Sequence, residues 1–231
     1  MNRRVFIASA LAYSTLPRLR AQSASLLAAA RADDVNAVYS LVLTEECTCC
    51  PNNKDKLLIG AFTYQPADPV VATRTYTAME RAMNAPGANS PSISPPVDRL
   101  TDAAVLVAGF REQNRPKIAI DARLKLPRPY HLVTAQEELQ YFILNPQGNV
   151  YDPTVAARAA TVPANVRREF KHATGIHSLS PVGFNAERSL ALFARRSVSN
   201  SCSTENWYVL EKTGSRWLRL GWPTSGMNVC A

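Results

Sequence analysis

The string Cys47-Thr48-Cys49-Cys50-Pro51 places three sulfur ligands within four residues. Thiolates at that density could hold Cu(I) or Zn(II), with a histidine or an outside ligand completing the site. The spacing departs from the C-x-x-C of structural zinc sites and redox pairs and from the C-x-x-C-H of haem attachment. The bland reading is structural: one of the three thiols bridges to a distant cysteine or within the cluster, and the others are buried or modified. The expectation is therefore that no cofactor is resident, with Cu or Zn at Cys47, Cys49 and Cys50 as the alternative. Cys202 and Cys230 are the remaining two of five cysteines. An odd count leaves at least one thiol unpaired or paired between chains. Cys202 sits in the polar turn Ser199-Asn200-Ser201-Cys202-Ser203, and Cys230 is next to the C-terminus. A Cys202–Cys230 disulfide would pin the tail to the last strands and, by the loop-entropy estimate, stabilise by about 3 kcal/mol.

Other chemistry is thinly represented. The chain has three histidines, His131, His172 and His177, any of which could serve a hydrolase that lacks a familiar motif. No G-x-G-x-x-G, G-x-x-x-x-G-K, H-E-x-x-H, G-x-S-x-G or S-x-x-K occurs, which removes the common nucleotide loops and the signatures of several hydrolases. With 9 glycines in 231 residues a glycine-rich phosphate cradle is not expected. Carboxylates pair at Asp33-Asp34, Glu45-Glu46 and Glu137-Glu138, and at Asp98 and Asp102. Neighbouring helical residues point apart, so these read as solvated faces or helix-dipole partners rather than an acid–base pair. Asp152 reads as a turn residue. Trp207, Tyr208, Trp217 and Trp222 could line a sugar-binding face but read first as core.

These groups sit behind what reads as an export address. Arg3-Arg4-Val5-Phe6-Ile7 opens an apolar run of about a dozen residues, followed by Pro17-Arg18-Leu19-Arg20-Ala21. Charged start, short apolar core and small residues at the end form a three-part signal, too short to span a bilayer. Arg3-Arg4 with Phe6-Ile7 resembles a twin-arginine signal, and the expected cut follows Ala21, or Ser23. The whole chain carries a formal charge of +8. Residues 1–21 contain four arginines and no acid, so 22 basic and 18 acidic residues remain, a charge of +4. Basic clusters from Arg111 to Arg128 and at Arg167, Arg168 and Lys171 could meet an anionic surface. Export argues against nucleic acid as a partner.

The elements that must position these residues read as follows. Residues 24–46 are helical in pattern, with Val35, Val38, Leu41 and Val42 at helical spacing. Lys56 to Tyr64 reads as a strand and Thr73 to Asn84 as a short helix. Residues 85–96, with four prolines, read as an exposed loop. Ser94 should cap a helix running to about Gln113, with Val97, Leu100, Ala104 and Val107 as its buried stripe. Pro129 to Val133 reads as a strand, and Thr134-Ala135-Gln136-Glu137 is a capping box for a helix to about Leu144. Pro146 to Asn149 reads as a turn, and Pro163 to about Ala173 as a helix. His177–Asn185, Ser189–Ser197, Trp207–Glu211 and Trp217–Trp222 read as four strands. The expected fold class is α+β: a helical N-terminal half packed on a C-terminal antiparallel meander of about four strands. One domain is expected over 24–231.

The C-terminal residues carry a resemblance. Leu179-Ser180-Pro181-Val182-Gly183-Phe184-Asn185, then Leu190-Ala191-Leu192-Phe193, Tyr208-Val209-Leu210-Glu211-Lys212 and Arg216-Trp217 resemble the ending of a group of exported bacterial proteins of unknown function. Val38-Tyr39-Ser40 and His131-Leu132-Val133-Thr134 are also similar to that group. In that group the loop before the last hairpin often holds two close cysteines. Only Cys202 stands there in this chain, which leaves Cys230 as its candidate partner. The resemblance implies a periplasmic or secreted α+β domain and supplies no reaction or catalytic residue. The leading expectation is a non-catalytic binding or structural role in the cell envelope, with no membrane span after signal cleavage. The alternatives are metal or thiol-redox work at Cys47, Cys49 and Cys50, and a hydrolase without a recognisable motif.

Overall fold

A computed structural model describes residues 31–45, 56–72, 91–114, 117–145, 153–170, 173, 175–199, 202–226 and 228–230. Helix α1 is described over 31–45. The strands are β1 (Leu57–Gly60), β2 (Val70–Val71), β3 (Ser92–Ile93), β4 (Tyr130–Val133), β5 (Ile176–Leu179), β6 (Gly183–Phe184), β7 (Leu190–Val198), β8 (Cys202–Thr213), β9 (Arg216–Arg219), β10 (Thr224–Ser225) and β11 (Asn228–Cys230). A 3-10 turn at Val97–Arg99 leads into α2 (Leu100–Gln113), and α3 (Ala135–Leu144), α4 (Pro153–Ala160) and α5 (Ala164–Phe170) lie between β4 and β5.

Eight strands form one mixed sheet, ordered β11-β8-β7-β5-β1-β4, with β6 beside β7 and β9 beside β8. β1 runs parallel to both β4 and β5, with Leu57 opposite Tyr130 and Ile59 opposite His177. β5, β7, β8 and β9 pair antiparallel. A small second sheet joins β10, β3 and β2.

The runs Leu57-Leu58-Ile59-Gly60 and Leu190-Ala191-Leu192-Phe193-Ala194 are buried along their whole length. Side chains alternate across a strand, so such runs need cover on both faces. Helix α1 covers one face: Val38, Tyr39, Val42 and Leu43 cluster with Leu57, Ile59, Leu179, Ala191, Phe193, Tyr208 and Leu210. The intervening residues face the other way. Leu190, Leu192, Ala194, Trp207 and Val209 meet Leu106, Val107 and Phe110 of α2. Leu58, Val133 and Ile176 meet Tyr141 of α3 and Phe170 of α5. The sheet is thus sandwiched, with α1 on one side and α2, α3 and α5 on the other.

The expected helical N-terminal half packed on a C-terminal meander is therefore incorrect. β1 and β4 belong to the first part of the chain yet insert beside β5 by parallel pairing. Parallel neighbours require long crossovers, which here carry α2 and then α3 to α5. The helices are consequently spread over both faces rather than gathered in one layer. The buried stripe of α2 is also displaced from the expected one. Ala103, Leu106, Val107 and Phe110 are buried while Val97 is 83% exposed, because the 3-10 turn shifts the helical phase. Ser94 does not cap this helix: the turn begins after an extended Pro96 with no side-chain cap, and the Ser94 amide instead donates to Pro223 O. Residues 91–95 are buried, with Ser92 and Ile93 in β3, so this part of the expected exposed loop is interior. Residues 73–90 and 146–149 lie outside the described ones.

Two local devices fix the assembly. Thr134 and Glu137 form the expected capping box, with the Glu137 amide donating to Thr134 Oγ1 and the Thr134 amide to Glu137 Oε2. Asp34, expected on a solvated face, is instead anchored: its carboxylate accepts from Lys212 Nζ at 2.6 Å and Trp217 Nε1 at 3.2 Å, and pairs with Arg188 at 2.8 Å. That ties α1 to the β8–β9 hairpin and to the turn before β7.

Candidate functional site

β5 and β6 are one strand interrupted. Both pair with β7, but Ser180-Pro181-Val182 bulges out between them. The gap is closed by side-chain chemistry. Ala194 N donates to Ser180 Oγ at 2.8 Å, and the freed Ser180 carbonyl accepts from Tyr39 OH at 2.6 Å. Beyond β1 the chain continues as an extended arm against residues 118–120: Thr63 N donates to Ile118 O, and Ile120 N to Ala61 O. Tyr64 N donates to Leu179 O, so the arm stays at the carboxyl end of β5, where the strand order reverses, the usual place for a crevice in an open sheet.

A cavity of about 670 Å³ opens there, between the first described turns of α1, residues 118–121, the end of α2 and the bulge. Its walls are chiefly Val35, Tyr39, Ile118, Ile120, Pro181 and Val182. The polar groups stand at the rim. Asp121 accepts from Arg123 Nε at 2.8 Å and from Asn36 Nδ2 at 3.2 Å. Those hydrogen bonds, Arg123 first, hold its carboxyl at about 2. Arg31 donates to Gln113 Oε1, joining α1 to α2. A second cavity of about 490 Å³ shares Arg31, Glu112 and Gln113 and continues along α2 to Phe184 and Arg188.

The histidines lie elsewhere. His131, on edge strand β4, has Nε2 3.0 Å from Glu137 Oε1 and Nδ1 3.9 Å from Glu169 Oε1. Glu169 also pairs with Lys56. This cluster borders a shallow depression of about 290 Å³ lined by Asn165, Arg168 and Phe170 as well. Glu137 titrates below its usual value: partial burial opposes this, but hydrogen bonds from Thr134 and His131 prevail. His177, in β5, is buried, and its Nδ1 has no hydrogen-bond partner among the described residues. Burial, with Arg195 and Arg128 adding repulsion, pushes its imidazole down to about 3, so the ring is neutral. His172 lies outside the described residues.

Cys47, Cys49 and Cys50 also lie outside the described residues, as do Arg3 and Arg4. Among the described residues no group of three or more His, Cys, Asp or Glu side chains could hold a metal ion. Cys202 and Cys230 are register partners across the antiparallel β8–β11 pair. Trp207, Tyr208 and Trp217 are core residues, so they present no sugar-binding face. Of the basic run, Arg111 pairs with Asp68 and Arg123 with Asp121, while Arg167 and Arg168 are exposed on α5. No described helix is long and apolar enough to cross a membrane.

Residue types point to the histidines and cysteines and miss the cavity, whose lining mixes aliphatic side chains with polar types common on any surface. The one sequence signal near it is Pro181, since a proline within a strand-like run marks a bulge or an edge. Compared with family models, curated proteins and solved structures, the chain shows no match.

Proposed function

We propose that the chain is an exported, non-catalytic binding domain of the cell envelope, and that its ligand site is the cavity between α1, residues 118–121 and the Ser180–Val182 bulge. The carrying observation is that cavity: 670 Å³, apolar-walled and polar at its rim, the build of a small-molecule site. The burial of His177 supports a non-catalytic reading, since the ring is sealed in the interior. The leader at Arg3-Arg4 and its resemblance to a twin-arginine signal support export. The facing register of Cys202 and Cys230 favours a disulfide between them, because directly opposed antiparallel residues have Cα separations a disulfide can span. Such a bond persists in an oxidising compartment.

The test is to express the chain with its own leader in a bacterial host and fractionate the cells. Mature protein in the periplasm or medium, with an N-terminus at residue 22 or 24, is the expected result. An uncut chain retained in the cytoplasm overturns export.

A further inference from the structure

The charge arrangement around the cavity restricts what it can take. We propose that the cavity binds an uncharged, largely apolar small molecule with a hydroxyl- or ester-bearing end, of the monoacylglycerol kind. This rests on the binding reading above and adds the ligand class.

The formal charges around the cavity cancel in sum. The Asp121 carboxylate is matched by Arg123, with 2.5 and 2.8 Å contacts, and Asn36. Arg31 and Glu112 stand on the same rim with opposite signs. The walls between them are aliphatic apart from the Tyr39 ring and Thr63, whose Oγ1 accepts from the Ile118 amide. A ligand bearing a formal charge would lose its hydration on entry and find no net opposite charge at the site. A neutral molecule loses only apolar hydration, which favours burial. Its polar end has partners at the rim, where Asn36 and Gln113 each offer an amide. Ile118, 53% exposed, extends the apolar surface of the lining. Large exposed apolar side chains beside a pocket are a feature of ligand-binding surfaces.

The experiment uses the chain from residue 24 onward and the neutral fluorophore N-phenyl-1-naphthylamine. Displacement is measured at pH 7 with monodecanoylglycerol, decanoate and decylammonium, each below its micelle concentration. The expected result is that the neutral competitor acts at a concentration at least ten-fold below either ion. Ala32→Trp and Ala119→Trp fill the cavity from opposite walls, and each should weaken fluorophore binding at least ten-fold with an unchanged melting curve. Using two walls keeps the test valid if one variant fails to fold. Glu112→Lys unbalances the rim and should improve decanoate competition by about five-fold or more. If the fluorophore binds and the fillers block it, yet an ion competes as well as the glyceride, the neutral-ligand inference falls and the binding site stands. If the fluorophore does not bind, or binds the filled variants equally, both fall.

Discussion

His177 offers a direct test of the interior. Its imidazole is buried against the α1 face of β5, neutral, with Arg195 and Arg128 nearby and its titration pushed from 6.5 to about 3. The unfolded chain protonates this ring as pH falls through about 6.5, whereas the folded chain does not until about 3. Folding then excludes a proton that the unfolded state binds, so stability is full above pH 6.5 and declines on acidification. The slope approaches 1.4 kcal/mol per pH unit below 6.5, which amounts to about 2 kcal/mol at pH 5. For a domain of this size that corresponds to roughly 4–8 °C in Tm. The assay is urea unfolding of wild type and His177→Leu at pH 7 and pH 5. Wild type should lose about 2 kcal/mol more than the variant between the two values. Every group other than residue 177 is common to both proteins and cancels in the difference. Asp121 does not interfere. Its carboxylate contributes above 3.8 and that contribution is lost only as pH falls through about 2. A wild-type-minus-variant difference below about 0.5 kcal/mol would show that the ring is solvated or paired, and the reasoning from burial would fail.

Three further perturbations probe the assembly. Asp34→Asn leaves Lys212 and Arg188 without their carboxylate in a half-buried setting, and should cost about 2–4 kcal/mol in urea unfolding; adding Lys212→Met should recover part of that loss. Gly183→Ala would place a Cβ 2.3 Å from Phe110 Cα, whereas the same change at Gly221 meets nothing within 4 Å. Thermal melts should therefore show a loss of more than about 2 kcal/mol for the first and little for the second. For the proposed Cys202–Cys230 bridge, alkylation of the exported, unreduced chain should leave both thiols unmodified by mass. Cys230→Ser should cost about 3 kcal/mol, with no additional loss in the Cys202→Ser, Cys230→Ser double variant. Two alkylated thiols at these positions would exclude the bridge.

Much of the secondary structure was legible, because its signals are local. The capping box at Thr134 and Glu137 and the strands beginning near Ile176, Leu190 and Arg216 depend only on neighbouring residues. Strand order was not legible, because Leu57 meets Tyr130 and Ile59 meets His177 across separations no local pattern encodes. One clue to the sandwich was present. Leu57-Leu58-Ile59 does not alternate in polarity, and a strand that is apolar on successive residues needs cover on both faces. Such a run argues against a sheet with helices on one side only. Proline misled in the stretch 91–95. Pro91 and Pro95 read as exposed loop but are buried, the strand between them being short enough to take its partners from β2 and β10. Pro153 belongs to the first turn of α4, a position that tolerates proline because its amide would be unsatisfied there anyway.

Chemistry-bearing residues and a binding cavity leave different traces in a sequence. Cysteine and histidine announce themselves by type, so reading by type reaches the cluster at Cys47 to Cys50 and the pair His131 and His177. The cavity depends instead on where strands stop. It exists because β1 passes into an arm held by residues 118–120 and because β5 breaks at Ser180-Pro181-Val182. Neither interruption contributes an unusual residue type beyond Pro181. What preserves the space is a hydrogen-bond repair. Ser180 Oγ takes the Ala194 amide, and Tyr39 takes the displaced Ser180 carbonyl. An unrepaired bulge would leave buried backbone groups unpaired, at a cost of about 1–3 kcal/mol each. The break at the end of β5 is therefore bridged by Tyr39 and Ser180, so the cavity wall there leaves these backbone groups paired.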